Sequence, residues 1–218
     1  MIKVVLFDLD ETLYPRSSKL MSLIGQRIDE YVIDKIGIPA AKADEIRRHW
    51  RTHYGTALRG LIEEGYPVDV EDYLCYVHNI PLDGFIAPQP ELRAMLLSIP
   101  LRRAILTNSN REHAIRGLSH MNLLDCFEQI IDVRALSFIN KPDPLAYDRA
   151  MSILGVNPGE VIFVEDTPVN TRAAKKLGIA TILVDCPPSQ DADFTVASVL
   201  DVGDVILKLV RDGTAPAA

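Results

Sequence analysis

Five short apolar runs punctuate the chain: KVVLFD (3–8), RRAILT (102–107), EQIIDV (128–133), EVIFVE (160–165) and ATILVD (180–185). Each is nearly continuous and rich in Val and Ile, as strands buried on both faces of a parallel sheet are. Between them lie stretches with helical apolar spacing: NREHAIRGLSHMNL (110–123), PLAYDRAMSILG (144–155) and PVNTRAAKKLG (168–178). The last two close on glycine, the residue that most readily takes the left-handed turn past a helix end. Strand and helix in alternation predict an α/β fold, a Rossmann-like parallel sheet core with helices on both faces.

Residues 16–87 break that alternation. LMSLIGQRIDEYVIDKIG (20–37), AKADEIRRHWRTHYGTALRGLIEEG (41–65) and EDYLCYVHNI (71–80) all have helical spacing, and no run between them reads as a strand. The pattern predicts an inserted all-helical domain over 16–87, with the core assembled from 1–15 and 88–218. APQPELRAML (87–96) marks the return to the core, and the terminal DGTAPAA reads as a frayed end. No internal repeat is present.

Composition narrows the partners. At 218 residues, 48% hydrophobic and 24% charged, the chain is long enough for one good core and a smaller second unit. Its net charge of −7 argues against polymeric nucleic acid as a partner, since that affinity comes from Lys and Arg neutralising phosphates. A small anion remains accessible to a few converging cations. Cys75, Cys126 and Cys186 show neither disulfide-framework nor zinc spacing. The N-terminal residues lack the pattern of a signal peptide, and no stretch approaches the roughly 20 apolar residues of a membrane span. A cytoplasmic protein without a membrane partner is the expectation; the oligomeric state is not legible.

The candidate chemistry sits where strands end. In open parallel sheets, ligands bind beyond the carboxyl ends of the strands. The run VVLFDLDETLYP (4–15) ends in Asp8, Asp10 and Glu11; Thr107 and Asn108 follow RRAIL; Glu165 and Asp166 follow VIFV; and Lys141, in NKPDP, lies in the connection after EQIIDV. Any one of these alone reads as a cap or a solvated turn. Together they supply hard oxygen ligands for Mg²⁺ at Asp8 and Asp166, and Thr and Lys donors for phosphoryl oxygens. The set points to phosphoryl transfer, with a small phosphorylated molecule as substrate.

These four motifs, DLDET (8–12), LTNS (106–109), Lys141 in NKPDP and VEDTPVN (164–170), resemble those of the haloacid dehalogenase superfamily of phosphatases. The resemblance implies that Asp8 is the nucleophile that forms an aspartyl-phosphate, and that Asp10 is the general acid and then the general base. It further implies that Thr107, Asn108 and Lys141 bind phosphate, and that Asp8, Asp166 and the Asp10 carbonyl hold Mg²⁺. Glu165 and Asn170 depart from the commonest form of the last motif and are given supporting roles, with Glu165 reaching the metal through water. The helical insertion resembles the family's C1-type cap. Asp10 separates the chain from dehalogenases, which keep no aspartate there. FDLDETLYP and HYGTALRGL (53–61) resemble the pyrimidine 5′-nucleotidase group. That likeness implies a nucleoside 5′-monophosphate as substrate, with His53, Tyr54 and Arg59 in the cap as contacts. A sugar-phosphate phosphatase or phosphomutase of the same fold, and a phospho-accepting receiver module, are the alternatives.

Overall fold

The computed structural model describes residues 1–212, so positions 213–218 of the expected frayed tail lie outside it. Six strands form one parallel sheet: β1 (Val4–Phe7), β2 (Arg102–Leu106), β3 (Gln129–Ile131), β4 (Val161–Glu165), β5 (Ala180–Val184) and β6 (Phe194–Val196). Their spatial order is β3-β2-β1-β4-β5-β6. The chain therefore works outward from β1 on one side, then returns to β4 on the other, and the crevice beside β1 is the switch point of the topology. Phe7 is level with Ile105 of β2 and Val164 of β4, so the residues that follow all three strands emerge together.

After β1 the chain leaves the sheet for α1 (Leu20–Tyr31), a π-helical turn (Val32–Ile36), α2 (Ala40–Tyr54), α3 (Ala57–Glu63) and α4 (Val70–His78). Tyr31, Trp50, Leu61, Tyr73 and Leu74 form an apolar cluster of their own among these helices, whereas Leu20 and Ile24 of α1 pack with the core. The single helical run expected over 41–65 is broken. Gly55 takes φ 83°, and the Thr56 side chain accepts the Arg59 N–H to start α3. Gly60 then packs α3 on α2 so tightly that a Cβ there would meet the Trp50 ring at 2.2 Å.

Strand alternation divides the core. Val5 and Phe7 face α5 (Pro90–Ser98), α6 (Arg111–His120) and α9 (Val202–Asp212) through Leu92, Leu118 and Ile206. Val4 and Leu6 face α7 (Pro144–Leu154) and α8 (Pro168–Lys176) through Tyr147, Ala150 and Ala174. Successive side chains on a strand point to opposite faces, which is why one short apolar run serves both layers. The five expected strands and three expected core helices are present within a few residues of their predicted ends. β6 and α9 are additions. Among the described residues, no helix is long and apolar enough to cross a membrane.

Candidate active site

A cleft of about 700 Å³ opens between the carboxyl ends of the strands and helices α1 to α4. Asp8, Asp10, Thr107, Asn108, Lys141, Glu165, Asp166 and Asn170 all line it, and so do His53, Tyr54 and Arg59. Residues separated by up to 162 positions in the chain thus meet at one edge of the sheet.

Asp8 follows directly from β1 and is tied to β4 by its N–H, which donates to the Val164 carbonyl at 2.9 Å. Glu11 then takes φ 63°, in the left-handed region, and the tight turn that results carries the Thr12 hydroxyl back to donate to Asp8 Oδ2 at 3.1 Å. The Lys141 ammonium, 2% exposed, donates to Asp8 Oδ1 at 2.6 Å and to Glu165 Oε2 at 2.8 Å. A buried cation needs such pairing to remain charged. Two carboxylates outweigh the burial that would otherwise lower the Lys141 pKa, and hold it above its ordinary value. The Asn108 amide fixes the Lys141 backbone from both sides, accepting its N–H at 2.9 Å and donating to its carbonyl at 3.0 Å. Thr107, at the end of β2, accepts the Ser109 N–H at 3.0 Å.

Asp8, Glu165 and Asp166 each bring a carboxylate oxygen within 4.8 Å of the others. Burial, then Glu165, push the Asp8 carboxyl up to about 7 against the pull of Lys141. Burial, Glu165 and Asp8 push Asp166 up to about 9, with Arg16 opposing. The cluster therefore holds more negative charge than its cations neutralise, and its all-oxygen donor set suits a hard divalent cation such as Mg²⁺. Glu165 is already saturated: Lys141 and Asn170 donate to Oε2, and the N–H groups of Asp166 and Thr167 to Oε1. Its support goes to Lys141 and to the start of α8. Asp8 and Asp166 are the two carboxylates left to take a cation.

This crowding has a measurable consequence. An unfolded aspartate loses its proton near pH 4, whereas folded Asp166 keeps its proton to about 9. Between those values the folded state holds a proton that the unfolded chain has released, so this group's contribution to stability falls as pH rises through the window. Asp166→Asn removes that fall. Without divalent cations the variant is expected to melt above the wild type near pH 8 and to approach it near pH 5; added Mg²⁺ should stabilise only the wild type. Thermal melts across that pH range, with and without Mg²⁺, check both statements.

Asp10 is held differently. Burial would raise its pKa, but His113, Ser109 and Tyr14 together bring it below the usual carboxylate range. Tyr14 Oη and His113 Nε2 lie 2.7 and 2.9 Å from Oδ1, and the Ser109 hydroxyl donates to Oδ2 at 2.7 Å. None of these three residues stands out from the sequence, although Ser109 falls inside LTNS. Arg16, also unremarkable in the sequence, sits in the turn after β1 and pairs with the Asp166 carboxylate while donating to the Asp166 carbonyl at 3.1 Å.

Among the inserted helices, the three expected contacts differ in freedom. Arg59 is committed to Glu63 and to the Phe138 carbonyl. His53 is exposed, its Nδ1 2.9 Å from the His49 carbonyl. The Tyr54 carbonyl accepts from Asn140 at 2.9 Å, and the Thr56 hydroxyl donates to the Asn140 amide oxygen at 3.2 Å. A Cβ on Gly55 would lie 2.4 Å from Asn140 Nδ2 and 2.7 Å from the Lys141 carbonyl, so this turn of the insertion rests directly on the loop that carries Lys141. Arg51 lines the same wall and, among the described residues, its side chain has no hydrogen-bond or ion-pair partner.

Comparison with known proteins gives a consistent placement. A family model described as haloacid dehalogenase-like hydrolase matches residues 2–178. Phosphate metabolism protein 8 of Saccharomyces cerevisiae is 27% identical over 195 residues, covering 83% of this chain but only 61% of the yeast protein. Validoxylamine A 7′-phosphate phosphatase of Streptomyces hygroscopicus subsp. limoneus is 29% identical over 216 residues, covering 95% of this chain and 94% of that protein. Among solved structures, the L-2-haloacid dehalogenase of Xanthobacter autotrophicus superposes with a TM-score of 0.63 at 21% identity, covering 98% of this chain and all of that one. That similarity concerns the fold.

Proposed function

The chain belongs to the haloacid dehalogenase-like hydrolase family, and from that premise we propose that it is a Mg²⁺-dependent phosphomonoester hydrolase working through an aspartyl-phosphate on Asp8. The observation that carries the proposal is the pairing of two aspartates in different surroundings. Asp8 lies between the Lys141 ammonium and the Thr12 hydroxyl beside Asp166, and Asp10, two residues on, is held apart from them by its own three donors. In a dehalogenase the second position has no proton to deliver. Phosphate-ester cleavage does need one, for the leaving alkoxide.

In this reading Asp8 attacks phosphorus while Lys141 and Thr107 stabilise charge on the phosphoryl oxygens. Asp10, ionised in the resting site, takes up a proton as the phosphate monoanion binds, gives it to the departing oxygen, and then takes a proton from the water that hydrolyses the aspartyl-phosphate. Asp8, Asp166 and the Asp10 carbonyl are the residues that would hold Mg²⁺, which when bound supplies positive charge to the crowded carboxylates and the incoming phosphate. Asn108 and Glu165 act by fixing Lys141.

The substrate we assign is a nucleoside 5′-monophosphate, in keeping with the likeness to pyrimidine 5′-nucleotidases and with a cleft of about 700 Å³. The insertion over 16–87, as a cap, would supply the selecting contacts from His53, Tyr54 and Arg51. Arg59, bound to Glu63 and Phe138, is assigned to holding the cap against the core. Arg51→Ala should therefore lower kcat/KM for a nucleotide about tenfold while changing that for a small aryl phosphate less than about twofold. Arg59→Ala should lower both. Steady-state kinetics on the two esters separate these outcomes. The similarity to a validoxylamine phosphate phosphatase favours a second reading, a sugar-like phosphate as substrate.

Phosphate release across a panel of nucleoside monophosphates and sugar phosphates, with and without Mg²⁺, tests the proposal. Preference for UMP or CMP supports the nucleotidase reading, and preference for sugar phosphates supports the second. A requirement for a bisphosphate activator would indicate a mutase, and release of halide from 2-chloropropionate without phosphatase activity would overturn the proposal.

A further inference from the structure

Behind Asp10 lies a buried histidine that the proposed chemistry leaves unused. His113 is 1% exposed and stands in the first turn of α6, where the side chain of the N-cap residue Asn110 accepts the His113 N–H at 3.0 Å. Its Nε2 is 2.9 Å from Asp10 Oδ1, whereas its Nδ1 is buried with no hydrogen-bond partner. An ionised carboxylate only accepts, so the bond to Asp10 places a proton on Nε2. Nε2–H is thus the donor that ties the ring to Asp10.

The ring has little freedom to turn. His78, at the end of α4, packs against it with ring centroids 4.8 Å apart, and the Asn110 side chain donates to the Leu74 carbonyl at 3.4 Å, joining the starts of these contacts across α4 and α6. His113 and Tyr14 both address Oδ1 of Asp10, which fills the acceptor capacity of that oxygen. Oδ2 receives one donor, the Ser109 hydroxyl. One lone pair on Oδ2 thus remains free for a proton, and Asp10 lines the cleft.

We propose that His113 is a positioning residue for proton transfer: by holding Oδ1 through Nε2–H, it fixes the Asp10 carboxyl so that Oδ2 exchanges the proton with the substrate. The inference rests on the assignment of Asp10 as general acid and base. As the phosphorus–oxygen bond to the leaving group breaks, its electron pair goes to the departing oxygen, which takes the proton from Oδ2. In the second half, water bonds to phosphorus and gives a proton to Oδ2, while the bond to Asp8 breaks and Asp8 recovers its carboxylate. Protons balance over the cycle.

The test compares an alkyl phosphate, a nucleoside 5′-monophosphate, with 2,4-dinitrophenyl phosphate, whose leaving group departs without a proton. Wild type, Asp10→Asn, His113→Ala and His113→Gln are measured on both, with circular dichroism to confirm the fold. Asp10→Asn should lower kcat on the alkyl ester by about 10²-fold or more and affect the aryl ester far less. His113→Ala should show the same selectivity at smaller size, about tenfold or more on the alkyl ester and under about threefold on the aryl ester. His113→Gln returns an N–H near the position of Nε2 and should recover most of the loss. Equal losses on both esters, no loss on either, or a folded Gln variant no better than Ala would overturn the proposal. Wild type inert on both esters would instead remove the phosphatase reading, and an Asp10→Asn loss equal on both would remove the general-acid assignment.

Discussion

Asp8→Asn is expected to lower phosphate release by about 10⁴-fold or more, the scale on which removal of a nucleophile acts, while the protein stays folded. The two halves of that expectation have separate causes. The amide cannot form an acyl-phosphate, so the reaction loses its two-step path. The fold survives because burial and Glu165 already push the Asp8 carboxyl up to about 7, so the metal-free protein tolerates a neutral group at this position. Lys141 also keeps Glu165 as a partner in the variant. Phosphate release measured beside a thermal melt checks both halves. A variant that is inactive only because it is unfolded would not support the nucleophile assignment.

Lys141→Ala should act on stability and activity together. Removing the ammonium leaves Asp8 and Glu165 buried, 6% and 1% exposed, without the cation they share. Breaking a buried pair in this way costs about 3–5 kcal/mol, because the remaining charge is uncompensated. A large fall in melting temperature is therefore expected. Part of it should return at low pH, where Asp8 is protonated and needs no partner. Turnover should fall by about 10²–10³-fold in the fraction that folds, the scale for losing one electrostatic stabiliser of the transition state. Urea unfolding at neutral and mildly acid pH, combined with kinetics at a temperature where the variant is folded, separates the two effects. Unchanged stability would mean that the Asp8–Lys141–Glu165 contacts contribute nothing net.

Both expectations concern residues that the sequence already displays. The strand runs are short, apolar and β-branched, and each ends in its reactive side chain, so the meeting of Asp8, Thr107, Lys141 and Asp166 follows once the strands are taken as parallel neighbours. The helical character of 16–87 was equally plain in its spacing. The amphipathic pattern of Val202, Val205, Ile206, Leu209 and Val210 also marks α9, though it carries no chemistry to draw notice. β6 is harder to see, because three half-buried edge residues, Phe194 to Val196, carry no periodicity to read. The break at Gly55 depends on the approach of Asn140 and Lys141 from the core, a contact invisible along the chain.

What could not be read is the set of partners that fixes the acids. His113 lies 103 positions from Asp10, and its bond depends on α6 following β2 beside β1. Asn110 opens the helical run NREHAIRGLSHMNL, but nothing along the chain shows that the third residue after it faces Asp10. Arg16 carries no signal in the sequence, and its pairing with Asp166 spans 150 residues. Arg59 shows the reverse failing: an arginine in a suggestive motif is occupied by Glu63 and a carbonyl. Residue type and spacing identify which groups can do the chemistry. Tertiary packing decides which of them are free to do it.

The most direct test of the central claim is the chemical state of Asp8 during turnover. The protein is mixed with Mg²⁺ and a phosphate ester that it hydrolyses, quenched in acid, reduced with borohydride and mapped by peptide mass spectrometry. Asp8 is expected to be converted to homoserine, the product of reducing an aspartyl-phosphate, dependent on substrate and absent without it. Steady phosphate release with Asp8 unmodified in the quenched enzyme, or with the phosphoryl group trapped on another residue, would contradict it.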